Sequence, residues 1–569
     1  MTGNNREKSK PEKNYEQGKV AESIVAILRL ELLRHYKWAW FPGDLLAGLV
    51  IFAVTIPAAL AYGQLAGLKP VNGLYASLLA MGIYALFGTS RQLIIDAEAA
   101  VAILVASSVT AVAAGGDPAR FAALAMMEAI MVGGIQVAAG VFRIGFISDF
   151  IPKSVVLGFL NGMALIVILA QAGTIFGIKL VQTDFFPRLW EFYTHIHASH
   201  HPTLVLGVAC LIGLFGLRLL PKVPEAVLVM VLATAAVLWW NLGDRGIGLV
   251  GTIPAGLPRP ELPRVNFSDI LNLFPIAMGV ALVSYVDTTI TGRAFAVKGG
   301  YQLDPNQELI ALGLANAGCG LCQGFTVGSS HSRTAINDMY RGRSQLAGLI
   351  AAVLLGLFLL RFTYLLKNVP EVALAAIIVM AGVNLLNLKE VFRTWRTRPA
   401  SAYYSLATSA AVLVAGLMIG VLVAVVFAII LVLHRLARPH EIVTRPPVVP
   451  GLMIYRFAGP LFFFNAAYFA NRMRDLLHSA RPQVTFLLIN AEAIVDMDIN
   501  AVEMLEELYN DLRSRGIILG ICEAKGHFRK VLSSTDFSSR EGFILYCTMA
   551  EAMRKLRQEP PTALVTKIS

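Results

Sequence analysis

Residues 92–110, QLIIDAEAAVAILVASSVT, and residues 328–338, GSSHSRTAIND, decide how this chain is read. The first is an apolar segment that begins only after a break at Ile95–Asp96, and the second is brief and starts polar. A helical membrane crossing needs about 20 consecutive apolar residues, so neither spans a bilayer unaided. Around them the chain is built of apolar runs. Of its 569 residues, 56% are hydrophobic and 15% charged, whereas soluble globular domains carry roughly 25% charged residues. That balance excludes an ordinary cytosolic protein and a disordered one, and it points to a polytopic membrane protein.

Between Asp44 and His434 the apolar segments number fourteen: 44–65, 70–88, 96–114, 119–142, 154–177, 203–219, 222–241, 268–291, 307–324, 329–340, 345–362, 370–386, 402–418 and 419–434. The two broken ones are the third and the tenth. Interrupted segments at matching places in two halves mark the binding site of a transporter. Ten is three plus seven, so the chain divides into two repeats of seven, and an odd number of crossings turns the second repeat over. This predicts a seven-plus-seven inverted repeat in a transport domain over 44–438, preceded by a cytoplasmic segment 1–43 and followed by a soluble domain 439–569.

Lys and Arg are more frequent in the loops on the side shared with both termini, for example Arg91, Arg143, Lys153, Arg218, Lys222, Arg393 and Arg396. By the positive-inside rule both termini are expected in the cytoplasm, in a plasma (inner) membrane. The net charge of +11 then serves orientation, and no nucleic-acid partner is expected. No secretory signal pattern opens the chain. Instead Ile24, Ile27, Leu28, Leu32 and Leu33 alternate with charged residues up to Trp38 and Trp40, which predicts an amphipathic helix on the membrane surface.

Beyond residue 438, MIYRF (453–457), PLFFFNA (460–466) and QVTFLLINA (483–491) read as strands, with helices at 466–479 and 500–514 and a further strand over Ile517–Cys522. This is an α/β pattern. Five cysteines make no disulfide framework, and Cys319-x-x-Cys322 reads as small residues that let helices approach. His195, His197, His200 and His201 fall in a loop that supplies no fixed metal geometry. No cofactor or resident metal is expected.

The string GLYASLLAMGIYALFGTSR, Gly73 to Arg91, resembles the signature of the SulP family of anion transporters and permeases. So do DLLAGL at 44–49, PKSVVLGFLNGMAL at 152–165 and the stretch from NQELIALGLANAGCG to SRTAIN at 306–337. The tail resembles the STAS domain. The resemblance implies core and gate subdomains, a homodimer through membrane and STAS domains, and an anion held between the N-termini of the third and tenth half-helices. That location has a physical basis, because helix N-termini present unpaired N–H groups and a partial positive charge.

Carried over residue by residue, the resemblance implies a substrate site lined by Ala58, Tyr62, Ala97, Glu98, Ala99, Ser330, His331, Ser332 and Arg333. Ala58 stands where many relatives have Gln, and Asp96-Ala97-Glu98-Ala99 replaces a usual Gly-Pro-x-Ala. Arg333 either holds the anion or closes a structural ion pair. Asp96 is expected to cap the half-helix, and Glu98, expected to oppose Arg333, reads equally as a cap or as a proton switch. Asp287, among Thr288, Thr289 and Thr291, matches a position associated with coupling to a cation or proton. Glu308 is expected at an interface and Asn316 in packing.

The function expected is secondary active transport of an inorganic anion by alternating access, with a co-transported proton or sodium ion. Sulfate comes first because it is the commonest assignment in the family resembled. Bicarbonate and dicarboxylates are alternatives, as are an anion channel and a STAS-based signalling protein. The STAS phosphoacceptor turn reads Asp498-Ile499-Asn500-Ala501, without a hydroxyl after the Asp, which argues against signalling. An enzyme is not expected, since no nucleophile-base pair, metal motif or phosphate loop is present.

Overall fold

The computed structural model describes residues 36–560 apart from 114–116, 151–152, 183, 220–223, 481–482, 536–539 and 541. The amphipathic helix expected before Trp38 lies outside the described residues, and Trp38–Trp40 form a single 3-10 turn. The chain divides into two compact units at Ala428/Ile429.

The first unit is helical. Its elements are α1 (Phe41–Leu65), α2 (Pro70–Phe87), β1 (Ile95–Asp96), α3 (Ala99–Val112), α4 (Pro118–Val141), α5 (Lys153–Phe176), α6 (Phe185–His195), α7 (His201–Leu217), α8 (Glu225–Trp239), α9 (Phe267–Gly299), α10 (Pro305–Leu321), β2 (Gly328–Ser329), α11 (His331–Met339), α12 (Leu346–Arg361), α13 (Glu371–Leu385), α14 (Leu388–Thr397) and α15 (Pro399–Ala437). The fourteen expected segments map onto these, with β1–α3 as the third, β2–α11 as the tenth, and the two limbs of α15 as the last pair. The limbs are divided at Gly416, whose φ of 82° is open to glycine and strained for other residues. The eighth segment runs further than expected, to Gly299, where Gly300 at φ 69° closes the helix.

Two short amphipathic helices, α6 and α14, were not among the expected segments; neither buries a residue completely. Among the described residues six helical stretches are individually long and apolar enough to cross a membrane. Others, such as α3 with 14 residues and α8 with 15, are too short to cross without the bundle around them. Side chains such as Leu45, Leu49, Ile212 and Leu357 stay exposed on the outside of the bundle, as a lipid-facing surface requires.

Helices α1–α4 pack with α9–α12 as one group, and α5, α7, α8 and α13 as another. The α15 limb before Gly416 joins the second group, where Ser409 Oγ donates to Gly158 O at 2.7 Å. Within the first group the α1–α2 crossing is closest at Gly73, the residue that opens the 73–91 signature. A Cβ there would lie 1.8 Å from Ala59 O. Its bare backbone therefore sets the position of α1 at Ala58 and Tyr62.

The second unit holds a five-stranded sheet: β3 (Glu441–Thr444), β4 (Leu452–Phe457), β5 (Phe486–Asn490), β6 (Ile518–Cys522) and β7 (Phe543–Tyr546). The order is β3-β4-β5-β6-β7, antiparallel at β3–β4 and parallel elsewhere. Strand alternation sends Met453, Tyr455, Leu487 and Ile489 to one core, and Leu452, Phe486 and Leu488 to another. The first is covered by α16 (Phe463–His478), α17 (Ile499–Ser514) and α18 (Gly526–Ser534), the second by α19 (Met549–Gln558). The strand expected over PLFFFNA is corrected: Leu461 makes an isolated bridge to Met497, and α16 begins at Phe463. The Asn465 carboxamide accepts from Phe462 N at 2.8 Å, which favours a helix start over strand pairing.

Gly73→Val is expected to lower the thermal unfolding midpoint in detergent by forcing α1 and α2 apart, at a cost of about 1–3 kcal/mol or more. Gly134→Ala is the control, because nothing lies within 4 Å of a Cβ there. Equal midpoints for both variants would refute the close crossing.

Candidate functional site

The two broken segments meet backbone to backbone. Strands β1 and β2 pair antiparallel, Ile95 opposite Ser329 and Asp96 opposite Gly328. Ser330 N donates to Ile94 O at 2.9 Å, and Ile94 N donates to Thr334 Oγ1 at 3.1 Å. Each strand leads directly into a half-helix, so the N-termini of α3 and α11 come together with their unpaired N–H groups. Glu98 caps α3 by accepting from Ala100 N at 2.7 Å, and Ser330 caps α11 by accepting from Arg333 N at 3.4 Å.

Arg333 is buried, and its charge is already matched. Its Nε lies 2.6 Å from Asp96 Oδ2, with the two side chains 2% and 0% exposed. Thr55 Oγ1 sits 3.2 Å from the same Nε and donates to Asp96 Oδ2 at 3.2 Å. Nη1 donates to Ser330 Oγ at 2.7 Å and Nη2 to Ala97 O at 3.3 Å, while the guanidinium lies 5.9 Å from the centre of the Tyr62 ring. Two of the five guanidinium N–H groups remain for a ligand.

The expectation that Asp96 caps the half-helix is corrected, and of the two readings of Glu98 the geometry shows the cap. Asp96, on the strand ahead of the helix, takes Arg333 as partner and also accepts from Ala97 N at 2.6 Å. Glu98, extended at φ −138° and ψ 146°, is the cap. The reason is position: the half-helix begins at Ala99, so Asp96 lies too far back to reach its first turn.

Asp287, on α9, forms a second cluster. Ser329 Oγ donates to Asp287 Oδ2 at 2.7 Å and lies 3.1 Å from Thr291 Oγ1. Thr291 Oγ1 lies 2.9 Å from Asp287 O, to which it donates, and 2.7 Å from His331 Nε2. His331 Nε2 stands 3.9 Å from Asp287 Oδ1. Of the neighbouring threonines, Thr291 joins the cluster, and Thr288 Oγ1 is buried without a partner among the described residues. Glu98 lies within electrostatic reach of Asp287.

Of the residues expected to line the site, Ala58, Tyr62, Ala97, Ala99, Ser330 and Arg333 are buried. Glu98 is partly exposed, and His331 and Ser332 are exposed at the start of α11. The reading from sequence missed Thr55, and it missed Asp96 as the partner of Arg333. The available signal was that an acid and an arginine inside apolar segments seek each other.

Outside the site, Asn316 on α10 accepts from Val327 N at 2.7 Å and donates to Gln136 Oε1 at 2.9 Å, and Gln136 Nε2 reaches Ala281 O at 3.1 Å. That chain ties the approach to β2 to α10, α4 and α9. Glu308, expected at an interface, is 3% exposed. It accepts from Tyr84 OH at 2.6 Å, Thr89 N at 2.8 Å and Thr89 Oγ1 at 2.6 Å, and so clamps the loop after α2. Cys319 is buried with Sγ 3.3 Å from Ala76 O, in keeping with packing.

The profile of the sulfate permease family matches residues 41–408, and that of the STAS domain matches residues 444–552. A probable sulfate transporter of Mycobacterium tuberculosis is 38% identical over 543 residues, covering 92% of this chain and 97% of the relative. The chloroplastic sulfate transporter 4.1 of Arabidopsis thaliana is 30% identical over 524 residues, 86% of this chain and 76% of its own length. Among solved structures, the murine solute carrier 26 member A9 anion transporter in its inward-facing state superposes with a TM-score of 0.84 at 21% identity, covering 98% of this chain and 96% of its own. The transmembrane domain of the cyanobacterial bicarbonate transporter BicA gives 0.61 at 22% identity over 69% of this chain and 98% of its own.

Arg333→Ala alone leaves the sealed Asp96 without its partner and is expected to cost about 3–5 kcal/mol of stability. The double variant Arg333→Ala with Asp96→Ala should recover most of that loss. Chemical unfolding of the purified protein in detergent measures both. A single variant as stable as wild type, or a double variant no better than the single, would refute the pairing.

Proposed function

The chain belongs to the sulfate permease family and carries a C-terminal STAS domain, and from that premise we propose that this anion transporter moves sulfate together with protons by alternating access. The observation that supports this reading is the charge balance of the site. Asp96 neutralises Arg333, so Glu98 and Asp287, if ionised, leave the site with a formal surplus of negative charge. A unit of like charge about 4 Å away costs about 4 kcal/mol at the effective dielectric of a partly buried site. The N-termini of α3 and α11 offset part of that, each with roughly half a positive charge. The remainder is removed when Glu98 and Asp287 bind protons before the dianion enters.

His331 favours a proton over a sodium ion as the coupled species. Its Nε2 stands 2.7 Å from Thr291 Oγ1 and 3.9 Å from Asp287 Oδ1, so the hydroxyl and carboxylate oxygens that a sodium ion would need face an imidazole nitrogen.

The STAS domain serves assembly or regulation in this reading, with a homodimer as the working state and both termini in the cytoplasm of a plasma-membrane protein. Asp498 is committed to capping α17, accepting from Ala501 N at 2.9 Å. With Ile499 and Asn500 after it, the turn offers no hydroxyl for phosphorylation.

Sulfate uptake into proteoliposomes is expected to be driven by an inward proton gradient, faster as the outside pH falls, and indifferent to a sodium gradient. Asp287→Asn should flatten that pH dependence, and Glu98→Gln should weaken it without lowering sulfate affinity. Uptake that follows sodium alone, or an Asp287→Asn variant with the wild-type pH profile, would overturn proton coupling at this site.

A further inference from the structure

A cavity of about 480 Å³ lies away from the Arg333 cluster, between the two helix groups. Its polar lining comprises Gln64 at the end of α1, Ser107 and Thr110 on α3, Gln171 on α5, and Asp184 with Arg188 at the start of α6. Ile103, which also lines it, follows Ala99 by four residues, and Ser107 and Thr110 continue at eight and eleven. These share one helical face. Likewise Leu65, another lining residue, follows Ala58 and Tyr62 at seven and three. The cavity walls are therefore the continuation, away from the site, of the faces that carry Ala99 and Tyr62. At 1.5 Å per residue, Thr110 stands about 16 Å along α3 from Ala99.

Arg188 is held at the mouth of this cavity by contacts that leave the end of its fork open. Its Nε donates to Gln182 O at 2.6 Å. Glu191 accepts from Val181 N and Gln182 N, both at 2.9 Å, which fastens the linker to α6. Phe192 meets Phe176 of α5 edge-on at 5.0 Å and anchors the helix. The Nη1 and Nη2 groups have no hydrogen-bond partner among the described residues. Glu191 and Asp184 both lie within electrostatic reach of Arg188; both Glu191 oxygens accept from the Val181 and Gln182 amides, and Asp184, one turn earlier, is exposed and screened by water.

We propose that this cavity is the vestibule through which the anion passes on the α6 side of the membrane, and that Arg188 is a recruiting site there for a doubly charged oxyanion. The guanidinium fork matches two oxygens of such an anion. Ser107 and Gln171 supply further hydrogen-bond donors on the way to the α3 N-terminus; the Thr110 hydroxyl is donated to Ala106 O at 2.6 Å. Unlike Arg333, Arg188 has no partner that fills its fork, so it can take up and release an ion repeatedly. The inference rests on the reading of this chain as an oxyanion transporter and adds to it a second place where the ion binds.

The test is the concentration dependence of radiolabelled sulfate uptake from the medium by cells expressing the full chain, with Arg188→Gln, Arg188→Lys and Asp184→Asn compared at equal surface amounts. Arg188→Gln is expected to raise KM about tenfold with little change in maximal rate, the low end of electrostatic steering effects, and to blunt the salt dependence of uptake. Arg188→Lys should restore most of the affinity, because charge is what recruits, and Asp184→Asn should lower KM. A wild-type KM in Arg188→Gln overturns the inference. So does Arg188→Lys being as impaired as Arg188→Gln, which would reduce Arg188 to a clasp on the Gln182 carbonyl. A wild-type protein that takes up no sulfate under any gradient overturns the transport reading and this inference with it.

Discussion

A guanidinium and a carboxylate can both be held out of water only if each finds the other, and Arg333 and Asp96 do so at 2.6 Å where β1 and β2 meet. The two residues come from opposite repeats. Their contact therefore fixes the N-terminus of α3 against that of α11, and Thr55 brings α1 into the same knot. Two half-helices that cannot cross a membrane separately become one element, closed by a two-residue sheet and one ion pair. The surrounding hydrogen bonds serve that junction: Asn316 and Gln136 steady the approach to β2, and Glu308 steadies the loop that leads to β1.

The same pairing determines what is left for a ligand. An arginine that balances an aspartate adds no net charge, so in the proposed cycle a dianion entering the site relies on helix N-termini, hydroxyls and protons on Glu98 and Asp287. Structural and functional charges are divided between neighbours on one strand-to-helix turn. Asp96, sealed from solvent, holds the fold; Glu98, two residues on and partly exposed, caps α3 and is the residue the proposed cycle protonates.

Much of this was legible in the sequence because hydrophobic length and its interruptions are one-dimensional signals. The breaks at Ile95–Asp96 and Gly328–Ser330 predicted where two half-helices meet, and the α/β alternation after residue 450 predicted the second unit. Side-chain partners were not legible, since pairing is decided in three dimensions: with the helix start at Ala99, Asp96 pairs with Arg333 and Glu98 is the cap. Glu308 looked interfacial because its four donor groups sit more than two hundred residues away, on Tyr84, Thr89 and Ser90. Helices α6 and α14 escaped notice because each is short and amphipathic, and PLFFFNA read as a strand because its apolar run conceals the capping Asn465.

In the proposed cycle a proton joins the site when the anion does. Calorimetric titration of the purified full chain with sulfate, repeated in buffers of different ionisation enthalpy, measures the protons taken up on binding. Net proton uptake with each sulfate bound is expected, with an affinity that falls as the buffer is made more alkaline. Sulfate binding with no proton uptake, at an affinity unchanged from mildly acidic to mildly alkaline buffer, would contradict it.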